Sequence, residues 1–459
     1  MPFPMRPAVA TKPRSDILEG SLTRPVLRLM WPLFTGYVFQ ASFNIVDMYW
    51  VGRLGADALA AVGSCAFMVW MMIALSEMVG VGALSHASRH LGAGRGEEAG
   101  RVLGSSLVAA MVIAGVIGVV GVSLAGWIFR LTGTEESVAV LGTSYLTILF
   151  QGLPFLFLFF VMESLFRAGG NTSIPMTVLI ANFILNMVLD PFLIFGWGPF
   201  PEMGVAGAAL ATVLSRFVGA AVLGIVLWRV ARNLGYQRPP SSTVSVPVML
   251  RLLRVGVPAA LAGAGFAIIY LFVVRVQAIF GTIAVAALVV GLRTEGIFYY
   301  VNASFGRAAA TMVGQNLGAG QPERAAAAPV RAILLAEIGM ATATVVFLTL
   351  APQLVGIFID DPEVIRAGSH FLRIISWAML FLAVEIVLFQ TAAGAGDTIP
   401  AMLIVVPGTA LRVPLGYFLG VTLGMGYQGV FWAIALTVVL KATLFVVWFR
   451  LGRWKEKAL

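Results

Sequence analysis

The sequence predicts an all-α polytopic membrane protein with twelve transmembrane helices in two six-helix bundles. Three observations predict it. Of 459 residues, 59% are hydrophobic and only 11% are charged; ordinary soluble domains carry about 25% charge, and a chain this apolar could not cover its own surface. Apolar stretches of roughly 20 residues or more, enough as helix to cross about 30 Å of hydrocarbon, recur along the whole chain. The first half also aligns with the second at a fixed offset. This composition excludes a cytosolic enzyme, a nucleic-acid binder and a disordered chain. The net charge of +9 then reads as basic cytoplasmic loops facing anionic lipid. A lone cysteine, Cys65, excludes a disulfide framework and a cysteine-based metal site.

Residues 1–24 form a basic, Pro-rich cytoplasmic tail without the apolar core of a signal peptide. The N-terminal bundle is 25–231, with spans near 26–51, 57–85, 101–129, 139–167, 173–197 and 204–230. A cytoplasmic linker covers 232–250. The C-terminal bundle is 251–450, with spans near 251–280, 283–306, 325–352, 365–393, 399–422 and 427–449, and 451–459 form a second cytoplasmic tail. Charge placement supports this order. Inner segments hold Arg89, Arg95, Arg101, Arg229, Arg232, Arg251, Arg307, Arg324, Arg331 and Lys455 among others. Outer segments hold Arg53, Arg130, Arg366 and Arg373, together with acids such as Asp57, Glu135, Glu202 and Asp361. Basic residues thus gather on the side of both termini, which the positive-inside rule makes cytoplasmic. The chain is expected in the cytoplasmic (inner) membrane as a monomer in contact with lipid.

The halves align at an offset of 226. Pro32 matches Pro258, Gly55 matches Gly281, residues 91–94 (LGAG) match 317–320, and Gly170, Thr172 and Met176 match Gly396, Thr398 and Met402. Later the offset slips to 222, where Met203 and Gly204 meet Met425 and Gly426. Six spans per half make this a parallel repeat about an axis along the membrane normal, an arrangement suited to alternating access around a central cleft.

Specific stretches carry a family resemblance. Residues 47–63 read DMYWVGRLGADALAAVG; 167–176 read RAGGNTSIPM, echoed by GAGDTIPAM at 394–402; 186–190 read NMVLD, followed by GVAGAALAT at 204–212. Their order and spacing resemble the multidrug and toxic compound extrusion (MATE) transporters, in their DinF-like or archaeal-like branch. The resemblance implies a secondary antiporter with its two bundles arranged as a V. It would export small organic cations or amphipathic drugs against inward flow of H⁺ or Na⁺, with no cofactor beyond the transported ion.

Acids inside spans are costly, at about 2.5–3.5 kcal/mol each at mid-bilayer on insertion scales, and so point to function. Seven fall there: Asp47, Glu77, Glu163, Asp190, Glu295, Glu337 and Glu385. Asp47 lies near the outer end of span 1 and Asp190 near that of span 5, with Asn186 one turn deeper. Thr212 sits roughly 12 Å into span 6. Depth alone therefore puts these four in the outer half of the first bundle, with Gln40 and Asn44 on neighbouring turns of span 1. Such oxygen donors suit a hard cation such as Na⁺, or protons. The resemblance maps the family's N-lobe cation site onto Asp47, Asn186, Asp190 and Thr212; a family position that is often Tyr is here Phe43. Pro32 interrupts span 1 and serves as the candidate hinge.

The second half does not duplicate this site, since the mates of Asp47, Asn186 and Asp190 are Val273, Arg412 and Gly416. An acid that the NorM-like branch places after the span-7 proline is here Phe266. This half carries Arg275, Arg293, Glu295, Glu385, Arg412 and Lys441 instead, read as an ion-pair network or a substrate and gating element. Glu77 and Glu163 read as structural. His86 and His90 share a helix face but lack the intervening Glu of a metalloprotease helix, and Gly92-x-Gly94-x-Gly96 lacks the strand and Lys of a phosphate loop; it reads as a tight turn. Three rivals remain in view. A flippase for a lipid-linked or anionic substrate is favoured by the basic residues of the second half. A major-facilitator transporter is disfavoured by the loop HLGAGRGEEAGR, and a membrane enzyme by the lack of a nucleophile or metal cluster.

Overall fold

The structure is a computed structural model that describes residues 15–132, 135–239 and 243–457. Every regular element among these residues is helical. After the short α1 (Ser15–Leu18), the first half contains α2 (Thr23–Gly52), α3 (Ala56–Gly92), α4 (Gly96–Thr132), α5 (Glu136–Gln151), α6 (Leu153–Ala168), α7 (Ser173–Phe195) and α8 (Gly204–Val230). The second half contains α9 (Val246–Ala278), α10 (Thr282–Gly318), α11 (Pro322–Gly356), α12 (Pro362–Ser376), α13 (Met379–Ala395), α14 (Thr398–Ala410), α15 (Arg412–Tyr417) and α16 (Tyr427–Leu451). A π-helical turn, Phe418–Thr422, continues α15, and short 3₁₀ helices follow α8 and α16 at Arg232–Leu234 and Arg453–Glu456.

Among the described residues nine rods are long and apolar enough to cross a membrane, and two bent pairs raise this to eleven. The sequence leads one to expect twelve. The difference is α2, whose 30 residues suffice in length but whose apolar run is interrupted by Thr35, Gln40, Ser42, Asn44 and Asp47. The bent pairs are α5 with α6 (49°) and α12 with α13 (63°). The first bends at Gly152, ahead of Pro154, which has no N–H to continue the ladder. The second bends at the repeat-equivalent place.

The repeat is visible in the backbone. Gly94 and Gly320 both have φ +71°, and Gly170 and Gly396 have φ +76° and +75°, a left-handed conformation that glycine adopts without steric cost. The reading of residues 92–96 as a tight turn therefore holds. Two large cores form, one mainly from α3–α8 and one mainly from α10–α16, beside two smaller clusters, and the first long helix of each half starts in the other's core. Val26, Leu29 and Met30 of α2 are buried in the second core, and Val248 and Leu252 of α9 in the first.

Glycines set how closely the halves meet. A Cβ on Gly92 would lie 2.0 Å from the carbonyl oxygen of Gln315, and one on Gly318 would lie 2.0 Å from that of Arg89. These are symmetry-related contacts, since 89 and 315 are also repeat mates. Small residues let helix backbones approach this closely, and dispersion then does what the hydrophobic effect cannot do in lipid. The same end is tied further. Arg89 donates to the carbonyls of Ala395 (2.9 Å) and Lys457, Gln315 donates to that of Ala168 (2.6 Å), and Arg324 donates to those of Ile17, Glu19 and Gly20. The Gly92/Gly318 end is shut. Between the halves, Gln237 and Thr243 lie in the groove left by Gly96, Gly100 and Gly104 on α4.

Candidate functional site

Polar residues recur every fourth position on α7: Asn182, Asn186 and Asp190. This spacing aligns them on one face, and the face is buried because α8 carries Gly207, Ala208 and Ala211 against it. A Cβ on Gly207 would lie 2.2 Å from the Leu193 carbonyl, and one on Gly219 would lie 3.1 Å from the Asn182 amide carbon. Asn186 donates from Nδ2 to Thr212 Oγ1 across this contact at 3.4 Å. Pro191, next to Asp190, has no N–H for the Met187 carbonyl, which adds a free backbone oxygen to the same stretch.

α2 packs against α7 on the other side. Phe43 stacks on Phe183 with centroids 5.0 Å apart and planes 16° apart, and Trp50 meets Phe195 edge-on. Asp47, one turn beyond Phe43, lies within electrostatic range of Asp190. Tyr145 of α5, buried and absent from the sequence reading, lies within range of both carboxylates. Gln40 is half-buried on the same helix, and the side chain of Asn44 lies outside the described residues.

The decisive feature is what these atoms lack. Both carboxylate oxygens of Asp190, one of Asp47, and the amide oxygens of Asn182 and Asn186 are buried without a hydrogen-bond partner among the described residues. Among the described residues neither aspartate has an ion pair. A buried ionised carboxylate without a partner is strongly unfavourable, and a proton or cation held at these oxygens would relieve that cost. Its donors are carboxylate, amide, hydroxyl and backbone oxygens, which match a hard cation or protons rather than a transition metal. No group of three or more His, Cys, Asp or Glu able to hold a metal occurs among the described residues.

One turn further along α8 from Thr212 lies Arg216, also missed in the sequence. Its guanidinium sits between the rings of Phe159 and Phe183, 5.6 and 5.4 Å from their centroids. Beyond Phe159 on α6, Glu163 forms an ion pair with Arg167 Nε at 3.4 Å and accepts from Arg307 Nη1 at 3.3 Å. Arg307 belongs to α10, in the second half, and its other nitrogen pairs with Glu77 of α3 while its carbon lies 5.7 Å from the Tyr37 ring. Glu77 and Glu163 thus tie the two halves together through Arg307, a partner that sequence reading placed in an inner loop.

In the second half, Glu385, Arg412 and Lys441 come together. Lys441 is 1% exposed and donates to Glu385 Oε1 at 2.6 Å. Arg412 donates to Thr437, one turn from Lys441, and to the Tyr270 hydroxyl, with its carbon over the Phe266 and Tyr270 rings. Glu295 lies within electrostatic range of this group. Arg275 and Arg293 do not join it; both are exposed and make no ion pair among the described residues. Elsewhere, α2 runs through Pro32 as one helix, His86 is buried beneath α9, and Cys65 is wholly buried in the first core.

Comparison with known proteins agrees with this architecture. The chain is 26% identical over 97% of its length to a probable multidrug resistance protein NorM of Thermotoga maritima, covering 96% of that protein. It is 28% identical to an FAD transporter of Shewanella oneidensis, over 84% of each chain. The fold matches a structure described as the outward-facing conformation of a multidrug resistance MATE family transporter of the MOP superfamily, with TM-score 0.89, 24% identity, and coverage of 96% of this chain and 98% of that one. The MatE family model matches twice, at residues 32–192 and 258–418, the same 226-residue step that the glycine turns repeat. The chain therefore belongs to the MatE family, whose members are transporters working from ion gradients and not enzymes.

Proposed function

We propose that this chain is a cation-coupled antiporter of the cytoplasmic membrane that exports cationic or amphipathic organic compounds by alternating access. The observation that carries the proposal is the set of buried, unpartnered oxygens on Asp47, Asn186 and Asp190. With Thr212, and with Gln40 and Asn44 as further polar partners, these residues hold the coupling ion, either Na⁺ or H⁺. The polar face of α2 makes it the twelfth span: a helix lining an ion site cannot be apolar all round. The two six-helix halves form a V, in the DinF-like or archaeal-like manner, with both termini cytoplasmic. The Gly92/Gly318 end is then the cytoplasmic end, and this conformation faces outward.

In this state an ion from outside reaches Asp47 and Asp190. Its arrival neutralises the counter-charge that held a cationic substrate, and the substrate leaves outward. Pro32, whose ring leaves the Arg28 carbonyl without its helical donor, gives α2 a place to bend as the halves rock. The Arg307 bridge must break for the cytoplasmic end to open, and the ion is released inside. One charge moving inward through about 150 mV supplies roughly 3.5 kcal/mol, some 300-fold in concentration for an uncharged amphipathic substrate; a monovalent cation exchanged one for one moves no net charge and is driven by the concentration gradient of the coupling ion alone.

A second reading rests on Arg412 and Lys441. Buried cations in the second half would suit an anionic substrate or a lipid-linked one, and a relative named as an FAD transporter keeps it open. Efflux of a fluorescent cation from proteoliposomes, under proton and sodium gradients imposed separately, tests the first reading. Efflux driven by one gradient and not the other supports it and names the ion; no efflux under either, with transport of an anionic dye instead, favours the second.

A further inference from the structure

We propose that Arg216 is the positioning residue that carries occupancy of the ion site to the Arg307 bridge between the halves. The inference rests on reading Asp47, Asn186, Asp190 and Thr212 as that ion site.

Arg216 lies within electrostatic range of Glu163, and the Phe183–Phe43 stack leads from it toward Asp47. On α8 it follows Thr212 by one turn, and Thr212 is bonded to Asn186. On one side its guanidinium meets Phe183, which stacks on Phe43, one turn from Asp47. On the other it meets Phe159, one turn from Glu163 on α6. Yet it forms no ion pair among the described residues, and its Nη1 is buried with no hydrogen-bond partner. A guanidinium held chiefly by two ring faces has no fixed counter-ion, and it leans toward whichever side is more negative.

The direction of the response follows. With Asp47 and Asp190 ionised and empty, their field draws Arg216 toward the ion site. A cation or proton there cancels that pull. Arg216 then turns to Glu163 and competes for the oxygen that Arg307 Nη1 holds at 3.3 Å. The bridge loses one of its two acidic anchors, and the end closed by Gly92 and Gly318 is freed. Loading from one face thereby unlocks the other, the order that antiport requires. A purely space-filling Arg216 would do none of this, and a methionine between the same rings would serve equally well.

A double-mutant cycle in the full-length protein in nanodiscs tests it. Spin labels go at the exposed repeat mates Glu97 and Glu323, as Glu97→Cys and Glu323→Cys, with Cys65→Ala to remove the native thiol. Asp190→Asn mimics a neutralised site whichever ion is carried. We expect Asp190→Asn to shift the label-to-label distance distribution toward wider separations, and Arg216→Gln or Arg216→Met to reduce that shift to less than half. Arg216→Lys, which keeps the charge, should restore most of it. Thermal melting identifies any variant that fails to fold, and two neutral replacements guard against losing one. If Asp190→Asn widens the distance equally with Gln or Met at 216, the relay is wrong while the ion site stands. If Asp190→Asn moves nothing with Arg216 in place, the ion-site reading falls and the relay with it.

Discussion

Arg307 of the second half holds Glu163 of the first at 3.3 Å while its other nitrogen grips Glu77. One guanidinium thus answers two acids on two different helices, α3 and α6, across the boundary between the halves. Breaking a buried charge pair by removing one member typically costs about 3–5 kcal/mol, because the other is left uncompensated. Arg307→Gln is therefore expected to weaken closure of the Gly92/Gly318 end and to lower ion-driven efflux by about tenfold or more. Spin labels at positions 97 and 323 should report wider separations. A variant with unchanged distances and unchanged efflux would remove Arg307 from the mechanism.

Gly92 and Gly318 bring the helix ends into backbone contact. A Cβ at either position would lie 2.0 Å from the facing carbonyl oxygen, so no side chain fits there without separating α3 from α10. Gly92→Val and Gly318→Val should each hold the inner end apart and stop efflux, with ion and substrate binding retained. Thiol accessibility of Ser88→Cys, a position buried against Gly314 of α10, checks this, and the reactive fraction should rise in both variants relative to the parent.

Lys441 and Glu385 form a pair that is closed to solvent, with Glu385 Oε2 left unpartnered among the described residues. Lys441→Met or Glu385→Gln alone should lower thermal stability in detergent, each stranding the opposite charge. The double variant should recover most of the loss, since no charge is then stranded. Melting curves of the four proteins decide it; simple addition of the two losses would mean that the residues do not act as a pair.

The segment after α16 is also part of the closed end. Trp454 is fully buried and stacks on Phe449 at 5.3 Å, while Lys457 pairs with Asp397 at 3.0 Å and its carbonyl accepts from Arg89. Trp454→Ala should cost about 3–5 kcal/mol, the usual effect of emptying a large buried aromatic site. A chain ending at Gly452 should also be more labile. Both are read by thermal melting, and an unchanged melting point in both would show the segment to be a passive tail.

The repeat was legible because glycine leaves a trace in sequence wherever the backbone needs it: Gly94 with Gly320, and Gly170 with Gly396, carry the same left-handed turns. Asp47, Asn186, Asp190 and Thr212 were legible because polar atoms in apolar spans stand out, and helical spacing fixed their depth. Arg216 was not, because a single cation inside a strongly apolar span changes its hydropathy little. Arg307 was not, because its pairing with Glu77 and Glu163 crosses the two halves, and its own repeat mate is Val81. The bends at Gly152 and after Ser376 hid inside stretches that read as single long spans. Arg275 and Arg293 show the converse limit: charge within an apolar run marks a residue but does not say whether it faces the helix bundle.

Asp47 and Asp190 are proposed to receive the ion that drives export. Asp47→Asn and Asp190→Asn, each reconstituted in vesicles and supplied with the gradient that drives the parent protein, test it most directly. Efflux of a fluorescent cation should fall to the level of empty vesicles in both while the proteins remain folded. Gradient-driven efflux continuing at the parent rate in both variants would contradict the account.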